Sequence, residues 1–243
     1  MFARVSDIRL AVVATLIALV FIALTDVALS GIPIVKDNLG ALVGIMFLYL
    51  PIWFGKSRGE DLEDYGFHKE PVGQGIKVFL GFLCVIIPLF TIGFVVYYTF
   101  ICGSDGWMQS LAPTGYCRAW SGFDGAKWPT FDFPFLEFAL GQLIVIALPE
   151  ELFFRGFIHK LCENTWPPKT KLWGGGIGLA LVVSSALFAV GHLAVGPDPR
   201  RLAVFFPGLV FGWMRSKTGS IFAGTMAHFA ANVTIYLLQR VFL

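Results

Sequence analysis

Long apolar runs separated by short polar breaks dominate the chain. Leu10 to Leu24 is apolar and can extend to Val35, and Leu39 to Phe54 follows at once. Ile76 to Ile101, Phe135 to Leu161, Gly174 to Val195 and Ser220 to Leu238 are four further runs near spanning length. A shorter one, Leu202 to Met214, contains Pro207 and Gly208. Crossing a bilayer takes about 20 helical residues, so this last run reads as a short, locally buried helix or a re-entrant one. The pattern predicts an all-α polytopic transmembrane helical bundle of about seven membrane segments, between roughly six and eight.

The breaks carry their own signals. Gly55 to Gln74 holds a mixed-charge cluster from Arg58 to Asp64 that reads as a solvated loop or a short surface helix. Cys102 to Pro134 is the longest loop, and its Trp107, Trp120 and Trp128 suit a membrane interface. Asn164 to Lys171 is a polar turn, and Gly196 to Arg201 is a tight break. Ala28-Leu29-Ser30 resembles a signal-peptide cleavage site. A spanning helix is the better reading of the first run, because it can reach spanning length and another span follows directly.

Composition agrees with the pattern. Hydrophobic residues make up 56% and charged residues only 14%, with a mean hydropathy of +0.74; a soluble domain carries about 25% charge. The net charge of +2 leaves no basic stripe, so nucleic acid is not an expected partner. With the N-terminus cytoplasmic and the short run crossing, eleven of the 18 basic residues, among them Arg4, Lys69 and Lys217, fall on inner segments. Six fall outside and Arg155 lies within the membrane, as the positive-inside rule expects. On this topology Cys102 and Cys117 share an outer loop, and a disulfide between them is expected. The four cysteines form no C-x-x-C pattern, which disfavours a cysteine-based zinc site. Gly174-Gly175-Gly176 and the pair Gly208 and Gly212 read as small residues for close helix packing.

The candidate chemistry lies in Pro149-Glu150-Glu151-Leu152-Phe153-Phe154-Arg155, three charges inside an apolar run. Such groups usually face a bundle interior or a polar cavity. Glu151 and Arg155 are four apart on one helix face and can pair, whereas Glu150 is rotated by about 100° and is left free. Pro149 donates no amide hydrogen bond and should kink the helix near the carbonyl of Val145, opening space for water at Glu150. A free carboxylate there is a candidate general base. His192 shares a face with Phe188, whose ring can orient it. His228 and Asn232 are likewise four apart and could donate to one oxyanion. H-E-x-x-H and G-x-S-x-G are both absent, which disfavours a zincin or a serine elbow.

Taken together, Glu150-Glu151-x-x-x-Arg155, Phe188-x-x-x-His192 and His228-x-x-x-Asn232 resemble the three-motif signature of the CPBP family. This family comprises the CAAX protease and bacteriocin-processing (Abi) proteins. The resemblance covers residues 135–243 and implies a catalytic core there within a single membrane domain, 1–243. Residues 1–134 would add accessory transmembrane helices and the long extracytoplasmic loop. It implies an intramembrane glutamic-type endopeptidase in which Glu150 and His192 activate water, His228 and Asn232 stabilise the oxyanion, and Glu151, Arg155 and Phe188 support the site. No cofactor is expected; the alternative is zinc held by Glu150, His192 and His228. The implied partners are the lipid bilayer and a membrane-anchored protein or peptide, prenylated or bearing a C-terminal sorting anchor. The implied location is a bacterial or archaeal inner membrane. The competing reading is a non-enzymatic membrane protein, an immunity or scaffolding factor or a proton-coupled transporter, using the same polar groups.

Overall fold

The computed structural model describes residues 6–28, 31–68, 71–194 and 198–243. Arg4, Leu29, Ser30, Lys69, Val195 and the 196–197 part of the tight break, all used above, lie outside the described residues.

Among the described residues, four helices are long and apolar enough to cross a membrane: α1 (Asp7–Ala28, apolar over Asp7–Asp26), α3 (Leu39–Arg58), α4 (Val72–Cys102) and α6 (Phe133–Thr165). The short helices α2 (Pro33–Asp37) and α5 (Tyr116–Ala119) lie between them. After α6 come α7 (Leu179–Leu193), α8 (Phe205–Thr218) and α9 (Phe222–Phe242). The expectation of a helical membrane bundle therefore stands with four candidate spans, and the count of seven is not established. At 1.5 Å per residue, α7 and α8 reach only ~21–23 Å, short of a ~30 Å hydrocarbon core.

The stretch from Thr170 to Ile177 departs from the all-α expectation. It forms a two-stranded antiparallel hairpin, β1 (Thr170–Leu172) with β2 (Gly175–Ile177), pairing Leu172 with Gly175. The turn residues Trp173 (φ 48°) and Gly174 (φ 88°) both have positive φ, which matches the right-handed twist of the paired strands. Gly174 thus serves a turn, and Gly175 and Gly176 let the strand close on Trp213, Pro168 and Ser216. None of the three packs a helix against a helix, so α7 begins at Leu179 rather than Gly174.

The main core is built where α1, α3, α6 and α7 meet. An alanine-rich face of α1 (Ala11, Ala14, Ala18, with Leu10 and Ile22) packs with Phe47, Leu50 and Phe54 of α3 and Phe153, Phe157 and Leu161 of α6. α1 is thus a member of the bundle. Its Asp7 pairs with Arg58 at 2.6 Å and accepts from Asn164 at 2.7 Å.

Polar contacts tie the loops together at two ends of the bundle. At one end Asp7, Arg58 and Asn164 meet, Lys160 donates to the Asp64 carbonyl (3.1 Å), Gln74 to the Lys217 carbonyl (3.2 Å), and Ser220 to the His68 carbonyl. At the other end the Ser121 and Lys127 amides donate to Phe242 and Val241, and Arg200 reaches the Leu111 carbonyl. The loop at that end carries a Cys102–Cys117 disulfide with Cα atoms 5.0 Å apart. Asp132 caps α6 by accepting from the Phe135 amide at 3.1 Å, which holds its carboxyl below the usual aspartate range.

Candidate active site

The site is assembled on α6. This helix does not break at Pro149; it passes through two wider π-turns, Gln142–Ala147 and Leu152–Ile158, on either side of Leu148–Glu151. Pro149 offers no N–H to the Val145 carbonyl. That carbonyl instead lies against Gly44 of α3, where a Cβ would sit 2.6 Å from it. Each π-turn shifts the helical phase and so changes the directions in which Gln142, Glu150 and Arg155 project.

Glu151 and Arg155 pair at 2.9 Å in full burial. The guanidinium also lies 3.9 Å above the Phe188 ring and 5.5 Å from Phe211. One carboxylate and two aromatic faces thus surround the guanidinium. α9 brings the third element close through a small-residue face, Ala223, Gly224 and Ala227, all buried. A Cβ on Gly224 would stand 3.1 Å from Glu151 Oε2.

This approach sets His228 between the two glutamates. Its Nδ1 is 3.0 Å from Glu151 Oε1 and its Nε2 is 3.8 Å from Glu150 Oε2. The ring stacks on Phe211 at 5.2 Å and meets the edge of Phe188 at 5.9 Å. Glu150 is not free of partners as its helical position suggested. It has 16% of its side chain exposed, and its Oε2 faces the imidazole. His228 and Asn232 do not converge on one point. Asn232 turns its Nδ2 to Gln142 Oε1 at 2.8 Å, while His228 is engaged by Glu151. Helical spacing put His228 and Asn232 on one face; what each meets there is decided by α6.

His192 sits on α7 with its ring 4.6 Å from Phe188, as the four-residue spacing suggested. Its Nδ1 lies 2.9 Å from the Phe188 carbonyl. A carbonyl can only accept, so Nδ1 carries the proton and the Nε2 of a neutral ring is left as an acceptor. Phe188 is therefore the common neighbour of His192, His228 and Arg155.

A second polar group continues down α6. The fully buried His159 meets Glu163 at 3.4 Å, and Glu163 also pairs with Arg215 (3.2 Å) and accepts from Ser216 (3.3 Å) on α8. Gly208 and Gly212 face this file: a Cβ on Gly208 would be 3.2 Å from Arg155 Nη2, and one on Gly212 would be 3.4 Å from His159 Nδ1. The small-residue reading of this pair holds, and what the glycines admit is polar side chains as well as helix backbone.

Residues 132–234 match the family model of the Rce1-like type II CAAX prenyl endopeptidases. The Rce1-like region begins at the Asp132 cap, ends within α9, and contains every residue of the three motifs. This is the family the motifs resemble. No curated protein and no solved structure matches the chain.

Sequence reasoning missed Gln142, Phe211 and Gly224. Gln142 carried a legible signal, an amide inside an apolar run, whereas Phe211 and Gly224 gave none. Of the residues in the alternative zinc set, His228 has its two ring nitrogens facing different carboxylates, and His192 sets Nδ1 against backbone with Nε2 open. Among the described residues, no group of three His, Cys, Asp or Glu side chains is placed to hold a metal ion.

Proposed function

We propose that this protein is an intramembrane glutamic-type endopeptidase that hydrolyses a peptide bond in a membrane-anchored substrate, with water activated by Glu150 rather than by a metal. The observation that carries this reading is the His228 bridge between Glu150 and Glu151, inside a region that matches an endopeptidase family. Glu150 is the one partly exposed acid of the group, so it is the one a water and a peptide can reach.

In this reading a water bound between Glu150 and the free Nε2 of His192 attacks the scissile carbonyl, and Glu150 takes its proton. Asn232 has two amide hydrogens: one is committed to Gln142, and the other is available to the oxyanion. Glu150 then returns the proton to the leaving amine. Glu151, itself paired with Arg155, holds His228 against Glu150. The finer topology of about seven segments belongs to this proposal; α7 and α8 would then lie within the membrane without crossing it unaided.

Glu150→Gln keeps the shape of the side chain and removes the base. Membranes carrying the wild-type protein should show cleaved membrane-anchored proteins, or turn over a prenylated C-terminal peptide, and Glu150→Gln should do neither at equal abundance and thermal stability. Undiminished cleavage by that variant would sink the proposal. A wild-type protein that protects or transports without any cleavage would support the immunity, scaffolding or transporter reading instead.

A further inference from the structure

A cavity of about 800 Å³ lies between α4, the hairpin, α7 and α8. It is separate from the candidate active site: none of Glu150, Glu151, His192, His228 and Asn232 lines it. Its volume is within the ~300–1,000 Å³ of small-molecule sites. Val78, Phe82 and Ile86 form one wall, and Leu181, Val210 and Met214 face them.

Its charged groups are Lys77 and Lys217, with Gln74 beside them, and no acidic residue lines it. Gln74 donates to the Lys217 carbonyl at 3.2 Å, which ties the start of α4 to the end of α8. Lys217 Nζ lies 4.9 Å from the Trp213 ring. Trp213 spends its indole N–H on the Leu172 carbonyl at 2.8 Å, so its ring is left as an apolar wall. α4 begins at Val72 with no side-chain cap and no acid in its first turn, which adds positive potential at the same end.

From Lys77 to Ile86 the groove runs nine residues along α4, or ~14 Å. That is about half of a ~30 Å hydrocarbon core, the depth of one leaflet. A peptide lying there would bring backbone N–H and C=O groups that apolar walls cannot satisfy. An acyl chain brings none. Two ammonium groups at the mouth select a negative head group.

We propose that the groove binds an anionic phospholipid, with an acyl chain between α4 and α8 and its phosphate at Lys77 and Lys217. The test uses the purified full-length protein in detergent, with phosphatidylglycerol, phosphatidylcholine or inorganic phosphate added, read by native mass spectrometry and by thermal shift. Phosphatidylglycerol should bind on the order of 10- to 30-fold more tightly than phosphatidylcholine, as expected of two lysines near a phosphate. Inorganic phosphate alone should give neither adduct nor shift. Lys77→Gln with Lys217→Gln should erase the preference while leaving the lipid-free melting temperature unchanged. Gly81 lines the groove with nothing within 4 Å of a Cβ built on it, so Gly81→Leu should fold normally and weaken both lipids. Equal binding of the two lipids, phosphate acting alone, a preference that survives the double lysine variant, or full affinity in Gly81→Leu would each overturn the proposal.

Discussion

Glu151 Oε1 faces two side chains: Arg155 Nη1, an ion pair at 2.9 Å on its own helix, and His228 Nδ1 at 3.0 Å from α9, 77 positions away. The nearer partner sets the rotamer of the carboxylate, and the farther one is positioned by it. A local helical pair thus becomes the holder of a residue from a different element.

Arg155→Met should therefore destabilise strongly, by about 3–5 kcal/mol, because it leaves Glu151 charged and buried with one partner fewer. Adding Glu151→Gln should cost less than the sum of the two single changes. Unfolding in detergent micelles measures both. Strict additivity would show that the pair is not coupled.

Asn232→Ala should lower turnover by roughly 10²–10³-fold with little change in KM, the behaviour of an oxyanion donor. Gln142→Ala should also lower kcat, by less. The double variant should be no worse than Asn232→Ala alone, because Gln142 acts through Asn232. Independent, multiplying losses would remove Gln142 from that role.

Gly44→Ala should destabilise by about 1–3 kcal/mol, since the new Cβ meets the backbone carbonyl of Val145 at 2.6 Å and backbone cannot step aside cheaply. Gly81→Ala, with open space around its Cβ, is the control. Equal melting temperatures for the two variants would contradict the close approach of α3 to α6.

Alkylation without a reductant should spare Cys102 and Cys117, and the buried Cys162 should react only on unfolding. Reduction should expose the pair. Immediate labelling of all four thiols in the native, unreduced protein would refute the disulfide.

Asp132 has a lowered carboxyl pKa because the Phe135 amide donates to its charged form. A folded value below the unfolded ~3.9 means that its contribution is present above that pH. It is lost as pH falls through the folded value. Asp132→Asn keeps a capping side chain but cannot titrate, so its melting temperature should fall less than that of the wild type below about pH 4. Parallel curves would show that Asp132 adds nothing to acid sensitivity.

Much of the site could be read from spacing, because helix geometry turns i and i+4 into neighbours. The Glu151–Arg155 pair and the packing of Phe188 on His192 are of this kind, and both are present. The hairpin was illegible for a local reason: its turn uses Trp173 at positive φ, where asparagine or aspartate before glycine is the usual sign. Gln142 and Asn232, 90 positions apart, could not be paired by spacing at all.

By itself the sequence determined the apolar helices and the polar residues that share a helix face. These follow from chain chemistry and a fixed helical period. Only the tertiary structure decided that His228 faces two carboxylates, that Asn232 faces Gln142, and that α4 stands off from α8 to leave a groove. The π-turns around Pro149 reset the phase of α6, and glycines at 208, 212 and 224 set how closely α8 and α9 approach it. No period along a single chain encodes the distance or the rotation between two helices.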